Sequence, residues 1–476
     1  MSSMFFRISR YLLIVCIFAA SSSLNSWCMR KGYQMTEVYG TEMTVFGVSG
    51  VAGKVGGEIT PEIAVKVGRA IGLRYEKVVL CRDVKETGPM IANALAAGMC
   101  SVGCDVTDIG ICPLPTAVRA IEMGGCCMMV TAPRGASGYS WIRFNNYDGS
   151  SFAPAQLTDV HKAVSENAPI PSAKHDDIGM ITMGKRPVDL HIKRIMKDIG
   201  QIDCPVVIDC ASDSTALVSP MLLTQMGADL TTINSNIHRD LVGRPPEPIE
   251  ANLRDLIKHV RSEPGAIGIA HDGNGSRVGI IDEGGRYVCG NTLVTLLAAH
   301  LKVESVTVPV NTTMAVDEIV KGSVIRTRIG DDHVAEAMKK NRLHFGAEPS
   351  GTFIFGNASF CPDGIYAAAV LASIASEGSL RQTVDELPHY PIVNSDVKFN
   401  CDKNDLTNRL DVKLRSMEYE SLITVDGWRV EMDDGWYLIR LSNFENKARI
   451  TAEARDRVYM NCLLDIARDV VASCVR

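Results

Sequence analysis

Aromatic residues are scarce in this chain, at 6%, too few to build the stacking platforms on which single-stranded nucleic acids are held. A basic face is missing too. No run of Lys and Arg stands out, and the formal net charge of -6 opposes binding to a phosphate backbone. No CxxC pair is matched by a second among the 15 cysteines, which argues against a structural zinc site. Many cysteines lie inside apolar runs such as Cys126-Cys127, the setting of buried, reduced thiols in a cytosolic protein. The apolar stretch Tyr11–Ala20 is too short for a comfortable membrane span. Neither nucleic acid nor membrane is therefore an expected partner.

With 476 residues, 46% hydrophobic and 22% charged, the chain is long enough for three to four globular domains. Arg7 and Arg10 precede the Tyr11–Ala20 stretch and Ser21-Ser22-Ser23 follows it, the layout of a signal peptide. The other reading is a start assigned too early, with initiation at Met29, Met35 or Met43. The globular pattern begins abruptly at Thr44. Free thiols favour the second reading and a cytoplasmic location, with secretion as the alternative.

From Thr44 onward, β-rich runs alternate with helical patterns, as in parallel α/β layers. Glu76–Cys81 reads as a strand, Thr87–Val102 as a helix with Thr87 as its N-cap, and Cys104–Gly110 as a second strand. The pattern restarts with Pro205–Cys210, a helix over Ala216–Met226 and Asp229–Ile233. It restarts again with Glu304–Val310, Ala315–Lys321 and Ser323–Thr327. Three repeated units follow from this periodicity. Beyond the Pro-bearing linker Glu386–Pro391 come amphipathic strands, Trp428–Met432 and Trp436–Arg440, with Asp433-Asp434-Gly435 as their hairpin turn. A closing helix over Arg455–Val471 completes a separate α+β domain.

In parallel α/β units, ligands bind at loops after strand ends. Four such loops stand out: Thr131–Ala136, His271–Arg277, Phe345–Gly351 and Arg440–Arg449. Their order, together with Phe46–Lys54, Gly103–Gly110 and Pro362–Ala369, resembles the α-D-phosphohexomutases, closest to the archaeal-type members, from about Thr44 to the C-terminus. The resemblance implies three repeated α/β domains with mixed sheets plus a C-terminal α+β domain around a central cleft. Boundaries are expected at 44–175, 176–280, 281–388 and 389–476, after an extension over 1–43. It also implies an isomerase chemistry of intramolecular phosphoryl transfer in carbohydrate metabolism. A phosphoserine loop, a magnesium loop, a sugar loop and a distal phosphate loop would each contribute.

Several of the implied residues are replaced. Pro133 stands at the phosphoserine position and Arg134 at the following histidine. Proline carries no nucleophile, and Ser137 sits four residues away. In the metal loop Asp272 remains, while Asn274 and Ser276 replace two aspartates. A poor magnesium site is expected there, and no cofactor. Val48 and Ala52 replace a threonine and an arginine, and Arg82-Asp83-Val84-Lys85 departs from Arg-Asp-Thr-Arg.

The sugar loop keeps Glu348 and Ser350, which can hydrogen-bond a pyranose. The same residues also make a stable turn. In the fourth loop Arg440, Ser442, Glu445, Lys447 and Arg449 match the family, while Asn443 and Phe444 replace Gly-Thr. Together with Arg277, the set Glu348, Ser350, Ser442, Lys447 and Arg449 is the expected ligand-binding group. The favoured expectation is a pseudoenzyme or regulatory subunit that binds a phosphorylated hexose or aminohexose, possible in a heterodimer with an active mutase paralogue. An active phosphosugar mutase is the first alternative and an interaction scaffold the second.

Overall fold

The computed structural model describes residues 45–47, 50–132, 138–165, 171–239, 243–442 and 445–475. Both readings of residues 1–43, and the positions Val48, Pro133, Arg134, Ser137, Asn443 and Phe444, lie outside the described residues.

The first sheet has seven strands: β1 (Val45–Gly47), β2 (Gly50–Lys54), β3 (Lys77–Arg82), β4 (Asp105–Ile111), β5 (Cys126–Thr131), β6 (Tyr139–Asn146) and β7 (Ile181–Met183), in the order β1-β2-β6-β5-β3-β4-β7. The second has β8 (Pro205–Asp209), β9 (Asp229–Ile233), β10 (Ile267–His271), β11 (Val278–Ile281) and β12 (Tyr287–Val288), in the order β12-β11-β10-β8-β9. The third has β13 (Val306–Pro309), β14 (Val324–Thr327), β15 (Phe345–Glu348) and β16 (Thr352–Phe355), in the order β14-β13-β15-β16.

One topology recurs in all three. The strands β5, β3 and β4 are parallel and β6 is antiparallel to β5. β10, β8 and β9 repeat this with β11, and β15, β13 and β14 repeat it with β16. The three-unit periodicity of the sequence is thus a repeated sheet. β5 is buried throughout, as a parallel strand covered on both faces must be.

The helices show how local sequence sets each unit. Thr60 Oγ1 accepts from the Ile63 amide at 3.3 Å and Pro61 opens the helix Pro61–Gly72. Gly68 in that helix and Gly98 in the next let the two backbones touch: a Cβ on Gly68 would lie 2.2 Å from Leu95 O, and one on Gly98 2.3 Å from Val65 O. Thr87 does not cap its helix, contrary to expectation. It is the first residue of Thr87–Cys100, and Glu86 occupies the cap position without a side-chain bond. The expected continuous helix over Ala216–Met226 is divided into a 3₁₀ turn, Ser214–Leu217, and a helix Ser219–Met226. Pro220 lacks an N–H and cannot bond back across the break.

The fourth sheet holds β17 (Ile392–Lys398), β18 (Ser421–Ile423), β19 (Trp428–Met432), β20 (Gly435–Leu441) and β21 (Lys447–Ala454), all antiparallel, in the order β17-β21-β20-β19-β18. The hairpin turn is Asp433-Asp434 alone, because Gly435 already pairs with Met432. The last helix spans Arg457–Val475.

The first and fourth sheets have cores of their own, the second and third share one with the helix Gly364–Glu377 buried in it, and Val310 packs with Trp436 and Leu438 between the third and fourth. The fourth sheet is bolted to the third by Arg429, whose guanidinium donates to Val310 O at 2.7 Å and Thr312 O at 2.8 Å while lying 3.7 Å from the Trp436 ring centre. Among the described residues every cysteine is a free thiol, and most are buried. No helix among them is long and apolar enough to cross a membrane.

Candidate active-site cleft

Loops at the C-terminal ends of β3, β5, β8 and β10 converge on a small cleft of about 50 Å³, lined by Asp83, Lys85, Asp213, Asp272, Asn274 and Arg277 among others. The β10 loop is bonded mostly to itself. Asp272 Oδ2 accepts from Ser276 Oγ at 2.9 Å, its Oδ1 accepts from the Arg277 amide at 3.0 Å, and Asn274 Oδ1 accepts from the Ser276 amide at 3.0 Å. Gly275, at φ +77°, closes the turn. The Arg277 guanidinium pairs with Glu247 at 3.3 Å.

This donor set does not fit the magnesium ion the family resemblance implies. Three side chains supply one negative charge, and that carboxylate is already engaged by two loop donors. Among the described residues no group of three or more His, Cys, Asp or Glu side chains is placed to hold a metal ion.

Asp213 was not singled out from the sequence, although it follows a buried strand at a loop where ligands gather. Its Oδ1 accepts from the Ser214 amide at 2.6 Å and the Val84 amide at 3.2 Å. Its Oδ2 is buried without a partner. Burial, and then the nearby Asp83 carboxylate, push Asp213 well above the usual carboxylate range. Asp83 itself is raised by burial, although Lys85 and the Thr131 hydroxyl oppose that.

Arg143 and Asp331 were also missed. Arg143 leaves β6, lies 4.8 Å from the Trp141 ring centre and hydrogen-bonds Asp331, so it ties the first sheet to the third. The only signal was its place in an amphipathic strand.

A larger cleft of about 550 Å³ opens between the third and fourth sheets, lined by Glu348, Ser350, Arg440, Arg449 and neighbours. Glu348 Oε1 accepts from the Gly330 amide at 2.8 Å, and Ser350 Oγ lies 3.0 Å from Thr352 Oγ1. Gly351, at φ +84°, brings the backbone so close that a Cβ would lie 2.3 Å from Val278 O. Arg440 and Arg449 stand directly opposite each other on β20 and β21. Like charges facing across a ladder are unfavourable unless something anionic lies between them. Arg440 reaches Asp426 at 2.9 Å, and Arg449 reaches Glu445 only at 3.7 Å.

The structure thus gathers Glu348, Ser350 and Arg449 with Arg440. Arg277 belongs to the smaller cleft. Lys447 is held beside Glu445 at 3.2 Å, and Ser442 Oγ accepts from the Glu445 amide at 3.3 Å. Neither lines the larger cleft.

Comparison with known proteins agrees with this layout. The α/β/α domains I, II and III of phosphoglucomutase/phosphomannomutase match residues 43–170, 189–285 and 289–390. A Methanosarcina barkeri protein named probable phosphoglucosamine mutase is 38% identical over 421 residues, covering 87% of this chain and 96% of that protein. A phosphoglucomutase/phosphomannomutase family protein from Burkholderia thailandensis superposes with a TM-score of 0.81 at 22% identity, covering 91% of this chain and 98% of the other. Aspergillus fumigatus N-acetylphosphoglucosamine mutase, solved with GlcNAc-6P and magnesium, has a TM-score of 0.55 at 13% identity, covering 91% and 96%.

Proposed function

This chain belongs to the α-D-phosphohexomutase family, and from that premise we propose that it binds a phosphorylated hexose or aminohexose in the cleft between its third and fourth sheets. The observation that carries this reading is the facing pair Arg440 and Arg449, set across the cleft from Glu348 and Ser350. Guanidinium groups meet the phosphate, and the carboxylate accepts from sugar hydroxyls. The fungal relative bound to GlcNAc-6P supports the ligand class.

Turnover is a second question, and here the relatives speak for activity. Proteins named phosphoglucosamine mutase cover most of this chain, which favours an active intramolecular phosphotransferase over a pseudoenzyme. No comparison supports the expectation of binding without turnover, or a heterodimer with an active paralogue. That expectation rests on this chain's own Pro133, Asn274, Ser276 and Ala52. The magnesium bound by the fungal relative likewise gives no support to the expectation that no metal is used, while the β10 loop supplies a single carboxylate.

Titration calorimetry against glucose, mannose and glucosamine phosphates, with and without magnesium, tests the binding. Saturable binding of at least one is expected, and binding of none overturns the proposal. An isomerisation assay on the same ligands, primed with the hexose bisphosphate, decides turnover. Magnesium-dependent conversion establishes a mutase.

A further inference from the structure

We propose that a cavity at the end of the third sheet remote from Glu348 binds a nucleoside monophosphate whose base carries an exocyclic amino group. The cavity measures about 510 Å³, within the range of small-molecule sites. It opens where β13 and β15 begin and β16 ends. Glu348 closes the other end of β15 and lines the larger cleft, so the two sites are separate. The floor of the cavity is aromatic. Phe345, Phe355 and Tyr366 line it while only 3%, 6% and 8% exposed, and the Phe355 and Tyr366 rings stack with centres 4.2 Å apart. Ring surface left open at the bottom of a cavity is a seat for another flat ring.

Polar groups at the rim identify the occupant. Glu304, Arg342 and His344 line the same cavity and are exposed, and none of their side chains has a hydrogen bond or ion pair among the described residues. Opposite charges that share a cavity ordinarily pair with each other, and Glu304 and Arg342 do not. Arg342 also holds φ +56° at the end of the helix Asp331–Asn341, where a glycine would be free of strain. A guanidinium with an imidazole two residues on makes a phosphate clamp. On the β13 side, the Glu304 carboxylate can only accept. It needs an N–H donor from the occupant. The exocyclic amino group of cytosine or adenine supplies one, whereas uracil presents an oxygen there. A sugar phosphate without a base would leave the rings in water. Aromatic floor, phosphate clamp and lone acceptor together fit a nucleotide.

Titration calorimetry of the full chain with CMP, AMP and UMP tests the assignment. CMP and UMP make the deciding pair, because they differ in the group that Glu304 meets. Saturable binding of CMP and AMP is expected, with UMP weaker by about tenfold. Arg342→Gly suits φ +56° and removes the guanidinium, so the fold is kept while CMP should weaken by about tenfold or more. Glu304→Ala should bring CMP down to the affinity of UMP. Circular dichroism checks that each variant is folded. Hexose phosphate should neither compete with CMP nor respond to Arg342→Gly, which separates this cavity from the larger cleft. Failure of both CMP and AMP to bind overturns the proposal, as does UMP binding as tightly as CMP. So does CMP binding that survives Arg342→Gly in a folded variant, or that hexose phosphate displaces.

Discussion

His191 Nε2 donates to Asp363 Oδ2 at 2.8 Å, and the bond joins parts of the chain that are distant in sequence. Asp363 accepts only, so Nε2 carries a proton, and Nδ1 is hydrogen-bonded to Thr116 Oγ1 at 2.9 Å. Asp363 also caps the helix Gly364–Glu377 by accepting from the Tyr366 amide at 2.9 Å. Burial opposes its charge, but His191 and then Arg119 outweigh burial and hold the carboxyl below its ordinary value. A depressed carboxylate gives stability that is present above its unfolded pKa and lost as pH falls through the folded one. Asp363→Asn should therefore cost about 3–5 kcal/mol at pH 7. The cost should shrink below about pH 4. Urea unfolding at both pH values checks this, and an equal penalty at each would count against it.

Asp213 carries the opposite sign. Its folded pKa is raised, so its charge costs stability once pH exceeds the unfolded value, and the cost grows as pH rises towards the folded one. Asp213→Asn keeps the Oδ1 acceptor and removes that charge. It should be more stable than wild type at pH 8 by about 1–3 kcal/mol. The advantage should fade toward about pH 4. Thermal melts across this range measure it, and a variant less stable at pH 8 would show that Asp213 has a partner worth more than its burial costs.

The contrast between these carboxylates shows where sequence reading reaches its limit. The repeated units were legible because strand-helix-strand periodicity is local, whereas the recurring order β5-β3-β4, β10-β8-β9 and β15-β13-β14 depends on pairing between distant strands and came from the structure. Glu348 and Arg449 were singled out because each belongs to a segment of recognisable order, and the structure sets them at the end of β15 and within β21. Arg440 facing Arg449 was not, because that relationship depends on the register of β20 against β21. Asp213 and the Arg143–Asp331 bond were hidden for the same reason: their partners are far away in sequence. The edge strand β7 was missed because Ile181–Met183 is too short to show a period.

The two ends of the larger cleft can be separated by ligand. Arg449→Ala should weaken binding of a hexose phosphate and of inorganic phosphate alike, each by about tenfold, the worth of one charge-assisted hydrogen bond. Glu348→Gln should weaken the sugar phosphate and leave inorganic phosphate unchanged. Calorimetry with both ligands reads the difference. If Glu348→Gln weakens both equally, Glu348 shapes the cleft through its bond to the Gly330 amide and does not meet the sugar.

Restoring the reaction centre tests the smaller cleft. Ser276→Asp beside Asp272 replaces a donor with a second carboxylate, since Ser276 Oγ now donates to Asp272 Oδ2 at 2.9 Å. Asn274→Asp adds a third charge to a loop that is almost wholly buried. Such a loop repels itself unless a cation enters, so magnesium should raise the melting temperature of this double variant by several degrees and leave the wild type unmoved. Adding Pro133→Ser and Ala52→Arg then returns the nucleophile and a charge on β2 opposite Trp141. Single elements of phosphoryl transfer are worth roughly 10³–10⁵, so a chain that only binds should gain at least about 10³-fold in isomerisation of a hexose phosphate from the four changes, whereas an active mutase, the reading its relatives favour, should gain little. A magnesium-responsive variant without any gain in rate would show that these four replacements do not limit turnover, as the active-mutase reading requires.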